Sequence, residues 1–182
     1  MYFENSKNIE DYFLNSKFSK CEVVFFNWII YNDNNLIKYE NRSLINRFVA
    51  PKINFTHGKA FVRGNMTNLM MATTHIPGIN AFQFCNSNGD LIYPNNFFGN
   101  KFEKNPKAYI KHYYTKTVEE FCKKINKGDA HFNKNHPQYN YILKDKLKLF
   151  FKLNKMTKEK INILENCLKM NFSNNFSFFN NN

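Results

Sequence analysis

The run from Val23 to Ile30, VVFFNWII, constrains the fold more than any other stretch of the chain. It is apolar and aromatic almost without interruption. It therefore lacks the alternation of a strand with one wet face, and it reads as a central strand buried on both sides. Such a strand needs neighbours on either hand, so the chain must supply more strands and the helices to cover them. With 182 residues, 43% of them hydrophobic and including 21 Phe and 10 Tyr, the chain has the material for a substantial core. The accompanying asparagine and lysine bias resembles the background of AT-rich coding sequence and carries no mechanism of its own.

The formal net charge of +12, from 26 basic and 14 acidic residues, predicts attraction to something anionic. The basic residues are spread along the chain, with no arginine-rich arm or nucleic-acid motif, so no nucleic-acid partner is expected. Cys21, Cys85, Cys122 and Cys167 lie far apart and form no Cys-x-x-Cys pair, and the N-terminus has no signal peptide. These features point to a reducing cytoplasm. No apolar run reaches the roughly 18 residues needed to span a bilayer.

In chain order, Met1, Tyr2 and Phe3 read as the end of a strand, and Ser6 caps a helix carrying Ile9, Tyr12 and Phe13. The central strand then ends in the polar tip Tyr31-Asn32-Asp33-Asn34-Asn35. Strand tips in open α/β sheets collect ligands, so Asp33 is a candidate general base and Trp28 a candidate stacking surface. The plain alternatives are an Asx-type turn and a core tryptophan. Asn41 to Phe48 reads as a helical turn with Leu44, Ile45 and Phe48 inward, followed at Pro51 by an irregular link. Lys59 to Gly64 is a short strand whose Lys59 and Arg63 suit phosphate, or simply flank an edge. His75, before the Pro77-Gly78 turn, is a candidate metal ligand. Ala81 to Cys85 and Leu91 to Tyr93, joined through Asn88-Gly89, read as a hairpin.

Tyr109 to Asp129 has the fullest punctuation in the chain. Thr117 and Glu120 are spaced as a capping box, Val118, Phe121, Cys122 and Ile125 share one helical face, and Gly128 supplies the stop. His112 and Lys116 sit in the elbow before this helix, where packing alone has little use for an imidazole and an ammonium. Beyond it, His131 and His136 lack zinc spacing. Asp145 to Leu153 and Thr157 to Met170 read as a helical pair, which could instead lie on a membrane surface, and 171–182 as a disordered tail.

Three pieces in order, NWIIYNDN, KAFVRGN and YIKHYYTKTVEEFCKKINKG, resemble the C-terminal half of the family 2 and family 92-like glycosyltransferases with a GT-A fold. That group shows an Asn-Trp-x-x-Tyr/Phe strand, a Lys-Ser-Ile-Val-Arg segment and a His-Tyr-x-x-Lys-Ser-x-x-Glu-Phe motif ending in Arg-Gly. The last motif is the most specific, and the likeness covers about residues 4–130. Here the motif serine is Thr117, which still caps a helix, and Arg-Gly is Lys127-Gly128, which keeps the charge but loses the bidentate fork.

The resemblance implies an α/β fold, a partial GT-A-like mixed sheet with flanking helices over 1–130; the helical extension over 131–170 and the tail over 171–182 are read from the residues themselves. The resemblance also implies sugar transfer from a nucleotide-diphosphate donor to a glycan acceptor, inverting and dependent on Mn²⁺ or Mg²⁺. By that likeness His112 or His75 would meet metal, Lys116, Lys59 and Arg63 the diphosphate, and Trp28 and Asn34 the sugar, with Asp33 as base. The chain contains no Asp-x-Asp pair. It therefore reads as a truncated or split enzyme whose nucleotide-binding half is a separate N-terminal piece. The alternatives are an inactive remnant or partner subunit, and a basic nucleic-acid binder. A cytoplasmic place, peripheral to the membrane, accompanies the first reading.

Overall fold

The computed structural model describes residues 1–64, 83–93, 105–128 and 137–169, with only the main chain described for 52–56. The fold is α/β, built on a five-stranded, open, mixed sheet with helices toward the C-terminus. Its strands are β1 (Tyr2–Phe3), β2 (Val23–Tyr31), β3 (Pro51–Val62), β4 (Phe84–Cys85) and β5 (Ala108–His112). The helices are α1 (Ile9–Phe13), α2 (Leu44–Arg47), α3 (Val118–Lys127), α4 (Tyr139–Leu153) and α5 (Lys158–Lys169). Contacts divide the chain into two compact units, Met1–Ile30 with Ile53–His112 and Tyr31–Lys52 with Tyr113–Asn182.

In the first unit the sheet order is β1-β5-β2-β3, with β4 also paired to β2. The expected central strand is therefore central, flanked on either hand. β5 runs parallel to it through Trp28↔Ile110 and Ile30↔His112, and β4 runs parallel through Val23↔Phe84. On the other side Gly58 lies against Phe26 and the Arg63 amide donates to the Glu22 carbonyl, so β3 runs antiparallel. Side chains alternate as a pleat requires. Val24 and Phe26 pack with Tyr12, Phe18 and Ala108, whereas Val23 and Phe25 pack with Phe84, Ala60 and Val62.

Three local expectations change. β3 begins at Pro51, where an irregular link was expected, because pairing with β2 extends it over 12 residues. The cap of α1 is Asn8, whose side chain accepts from the Asp11 amide, rather than Ser6. Cys21 and Cys85 form a disulfide across 64 residues of sequence, a pairing that linear spacing does not announce. The pairing of β4 with the start of β2 creates it by bringing Cys85 beside the residues that follow Cys21. The Asn88-Gly89 hairpin closes with a Cys85↔Leu91 bridge and Gly89 at φ 85°.

Gly58 is a point of close approach. A β-carbon there would sit 2.0 Å from the Phe26 carbonyl oxygen and 2.7 Å from the Phe25 ring. Gly58→Ala is expected to cost about 1–3 kcal/mol, the usual range for overpacking, read as a lower urea midpoint. Unchanged stability would mean that β3 stands further from β2.

The second unit is held by three helices. Val118, Phe121, Cys122 and Ile125 of α3 pack with Leu143, Leu147 and Phe150 of α4 and with Leu164, Cys167 and Leu168 of α5. The capping box of α3 forms as expected, with Glu120 N–H donating to Thr117 Oγ1 at 3.2 Å and Thr117 N–H to Glu120 Oε2 at 3.3 Å. In α2 the phase differs from expectation: Ile45 is exposed, and Arg47 is buried beside Phe48.

Candidate functional site

β2 and β5 bring two of the expected site residues together. In the parallel register Trp28 faces Ile110, so His112, two residues on, emerges on the same face as a diagonal neighbour. The indole and imidazole stack with centroids 4.3 Å apart and planes 22° apart. On the opposite flank His57 of β3 lies 6.0 Å from the same indole, again near parallel. The half-buried row His57-Trp28-His112 thus crosses three strands. His57 escaped sequence reasoning because a lone histidine in Thr56-His57-Gly58 carries no motif; only the strand pairing reveals it.

Trp28 is the chain's only tryptophan, so this stack can be observed directly. A ring stacked on the indole face screens it from water. His112→Ala is expected to move the tryptophan emission maximum to longer wavelength, and His57→Ala, with its greater separation, to move it less. An emission spectrum unchanged by His112→Ala would rule out the stack.

Lys59 and Arg63 also belong to the first unit. Lys59 is half-buried on β3. Arg63 donates from Nη2 to the carbonyls of Phe18 and Cys21 at 3.0 and 3.1 Å, and from Nε to Cys21 at 3.2 Å. Its fork clamps the turn before β2, and a phosphate approaching those nitrogens would have to displace main-chain partners. His75 lies outside the described residues, as do His131 and His136.

Asp33, Asn34 and Lys116 fall in the second unit. Asp33 is sealed: its side chain is 1% exposed and Oδ2 accepts from Lys160 Nζ at 2.5 Å, with Lys160 equally buried. Oδ1 accepts from the Asn35 amide at 2.9 Å, and Asp33's own amide donates to Asn154 Oδ1 at 2.7 Å. As folded, this carboxylate anchors the loop after β2 to the start of α5 and is closed to substrate. Asn34, at φ 49°, donates from Nδ2 to the Arg47 carbonyl at 3.1 Å, fastening the same loop to α2.

Lys116 is different. It lies in the left-handed region at φ 55°, which is costly for a residue with a long side chain. Among the described residues its ammonium has no hydrogen bond or ion pair, although it is half-buried. Beside it Thr115 is buried with Oγ1 unpartnered. The elbow between β5 and α3 therefore combines backbone strain, an unpaired cation and an unsatisfied hydroxyl.

The described residues do not fit a Mn²⁺ or Mg²⁺ site. Such hard cations take several oxygen ligands, and among the described residues no three His, Cys, Asp or Glu side chains converge. Comparison of the chain with protein families, with curated proteins and with solved structures finds no match.

Proposed function

We propose that the chain is the diphosphate- and acceptor-facing part of a GT-A-like glycosyltransferase, transferring sugar from a nucleotide-diphosphate donor to a glycan hydroxyl. The observation that carries this reading is the Lys116 elbow. Strained, unpaired polar groups persist where a ligand gives them a purpose, and a departing diphosphate needs a fixed positive charge. Lys116 supplies that charge in the second unit; in the first unit, taken by itself, Trp28 offers an aromatic face to a sugar ring, and His112, stacked on it, can donate to a phosphate oxygen. The Mn²⁺ or Mg²⁺ ion that the resemblance implies would need carboxylates beyond those of the described residues. Asp33 serves as base only if its pair with Lys160 opens.

The sealed Asp33 favours a second reading, a non-catalytic partner subunit of a split glycosyltransferase. Calorimetric titration of the chain with UDP and GDP, with and without Mn²⁺, together with an assay of sugar transfer from UDP- and GDP-sugars to a glycan acceptor, tests both. The first reading expects nucleotide binding and sugar transfer to a glycan acceptor; binding without transfer favours the second; no binding at millimolar nucleotide overturns both. Neither reading involves nucleic acid, and gel shifts at low salt should be blank.

Lys116→Gly separates strain from function. Glycine accepts φ 55° freely, so the variant is expected to be more stable by about 0.5–1 kcal/mol. Loss of the ammonium should weaken diphosphate binding by about tenfold, or about 1.4 kcal/mol. A variant that gains stability and keeps its affinity would remove Lys116 from the site.

The location belongs to the same proposal. No described helix is long and apolar enough to cross a membrane. The cytoplasmic, membrane-peripheral placement is compatible with the basic surface, while the Cys21–Cys85 bond favours an oxidising compartment. Thiol alkylation of freshly broken cells, counting blocked cysteines, decides between them.

A further inference from the structure

Away from the Trp28 row, the first unit contains a cavity of about 430 Å³ between α1, the turn after it and the end of β3. That volume lies within the range of small-molecule sites. Phe13, Phe18, Phe61 and Val24 form its apolar wall, with Phe13 edge-on to Phe18 at 5.3 Å and 6.1 Å from Phe61. The charged groups at the cavity are two carboxylates, Glu10 and Glu22, against one guanidinium, Arg63.

Their hydrogen bonding sets what they can still accept. Arg63 is already turned to main-chain carbonyls of Phe18 and Cys21. Glu22 uses Oε2 for the Gln83 amide at 2.8 Å, and its Oε1 has no partner among the described residues. The Glu10 carboxylate likewise has none. In a chain of net charge +12, a cavity whose described lining carries two carboxylates against one guanidinium, the latter turned by Nε and Nη2 to main-chain carbonyls, is a local reversal of sign.

We propose that this cavity binds a small organic ammonium with an aromatic or branched apolar body, an arylalkylamine in chemical class. The ring fills the space beside Phe13, Phe18 and Phe61, where edge-to-face contacts are favoured. The ammonium donates to Glu22 Oε1, a charge-assisted hydrogen bond, with Glu10 adding to the attraction. The site is independent of sugar transfer and stands or falls separately from it.

The test is calorimetric titration of the whole chain at pH 7 with 2-phenylethylamine, 2-phenylethanol and 3-phenylpropionate, which share a body and differ in charge. The amine is expected to bind at least about tenfold more tightly than the alcohol, with the carboxylate weakest. Glu22→Gln, which keeps an oxygen for the Gln83 amide, should lose about tenfold for the amine and leave the alcohol unchanged, an internal check that the cavity is intact. Equal binding of amine and alcohol, preference for the carboxylate, or no saturable binding of any of the three overturns the proposal. The unsubstituted chain alone decides it if the variant does not fold.

Discussion

Lys160→Met is expected to lower the stability of the protein by about 3–5 kcal/mol, the cost of removing one partner from a fully buried ion pair. Both side chains of Asp33–Lys160 are 1% exposed, so neither can recover water when the other is lost. Methionine matches the shape of lysine but leaves the Asp33 carboxylate charged in an apolar setting. It also strips the Lys155 carbonyl of the donor it receives from Lys160 Nζ at 3.0 Å. The second change in a cycle, Asp33→Asn, keeps an oxygen for the Asn35 amide and removes the stranded charge. The double variant Asp33→Asn/Lys160→Met should therefore be more stable than Lys160→Met alone. Urea unfolding of the four proteins measures the coupling. A loss under about 1 kcal/mol for Lys160→Met, the value of exposed pairs, would show that the pair is open to water. Since domains are stable by only about 5–15 kcal/mol in total, the single variant should be unfolded well below the parent's midpoint.

The same pair shows why the candidate site was only partly legible in the sequence. Of the two readings of the aspartate in Asn32-Asp33-Asn34-Asn35, the Asx-type turn forms, with the Asn35 amide donating to Asp33 Oδ1 at 2.9 Å, but the burial of the carboxylate is not visible in those neighbours. What buries it is Lys160, 127 positions further on; helical spacing sets this lysine on the face of Leu164 and Leu168, but a lysine at the start of a helix ordinarily extends from such a position to water. Arg47 repeats the pattern: four residues of helix are too short for a phase to be read, and the Glu120 carboxylate 73 positions away decides which side chain turns in. The partner that buries each charge lies too far along the chain to be read from its neighbours. Elements specified by near neighbours were readable: the capping box of α3, the Gly128 stop and the double-sided burial of β2 each rest on residues within a few positions. β3 is intermediate, since its mixed sequence becomes a 12-residue strand only by pairing with β2.

Among the candidate residues of each unit the difference is similar. Trp28 and His112 could be named from short motifs, and the parallel register of β2 with β5 then places them in contact. The strain at Lys116 and the histidine on the far side of Trp28 are backbone and pairing properties, visible only once the strands are laid side by side. Arg63 looked like a phosphate ligand because its sequence context records charge and not the carbonyls its guanidinium meets in the fold.

Glu120→Gln is expected to cost about 3 kcal/mol near neutral pH, and the loss should fade in acid. Glu120 Oε2 and Oε1 accept from Arg47 Nη1 and Nη2 at 2.7 and 3.2 Å, a bidentate pair in which Arg47 is 4% and Glu120 15% exposed. The estimate lies at the low end for a broken buried pair because glutamine still accepts one bond and water reaches this side. Burial alone would push the Glu120 carboxyl up, but the hydrogen bonds from Arg47 and Thr117 outweigh it and hold the group below its ordinary value. Reciprocally, the hydrogen bond to Glu120 holds the Arg47 guanidinium above its own, so Arg47 stays charged throughout the acid range. A carboxyl depressed by folding contributes stability that is fully present above its unfolded value, about 4.3 for Glu, and is lost as the pH falls through the folded value. The gap between parent and Glu120→Gln should therefore be constant from pH 7 to about 5, begin to narrow as the pH falls through about 4.3, and close only below the depressed value of the folded carboxyl. Arg47→Met should cost less than Glu120→Gln, because a glutamate left behind at 15% exposure can turn to water, whereas the 4%-exposed arginine cannot. Urea midpoints of the three proteins across pH 3–7 test both statements, and a gap that widens toward acid would assign the stabilisation to some group other than this pair.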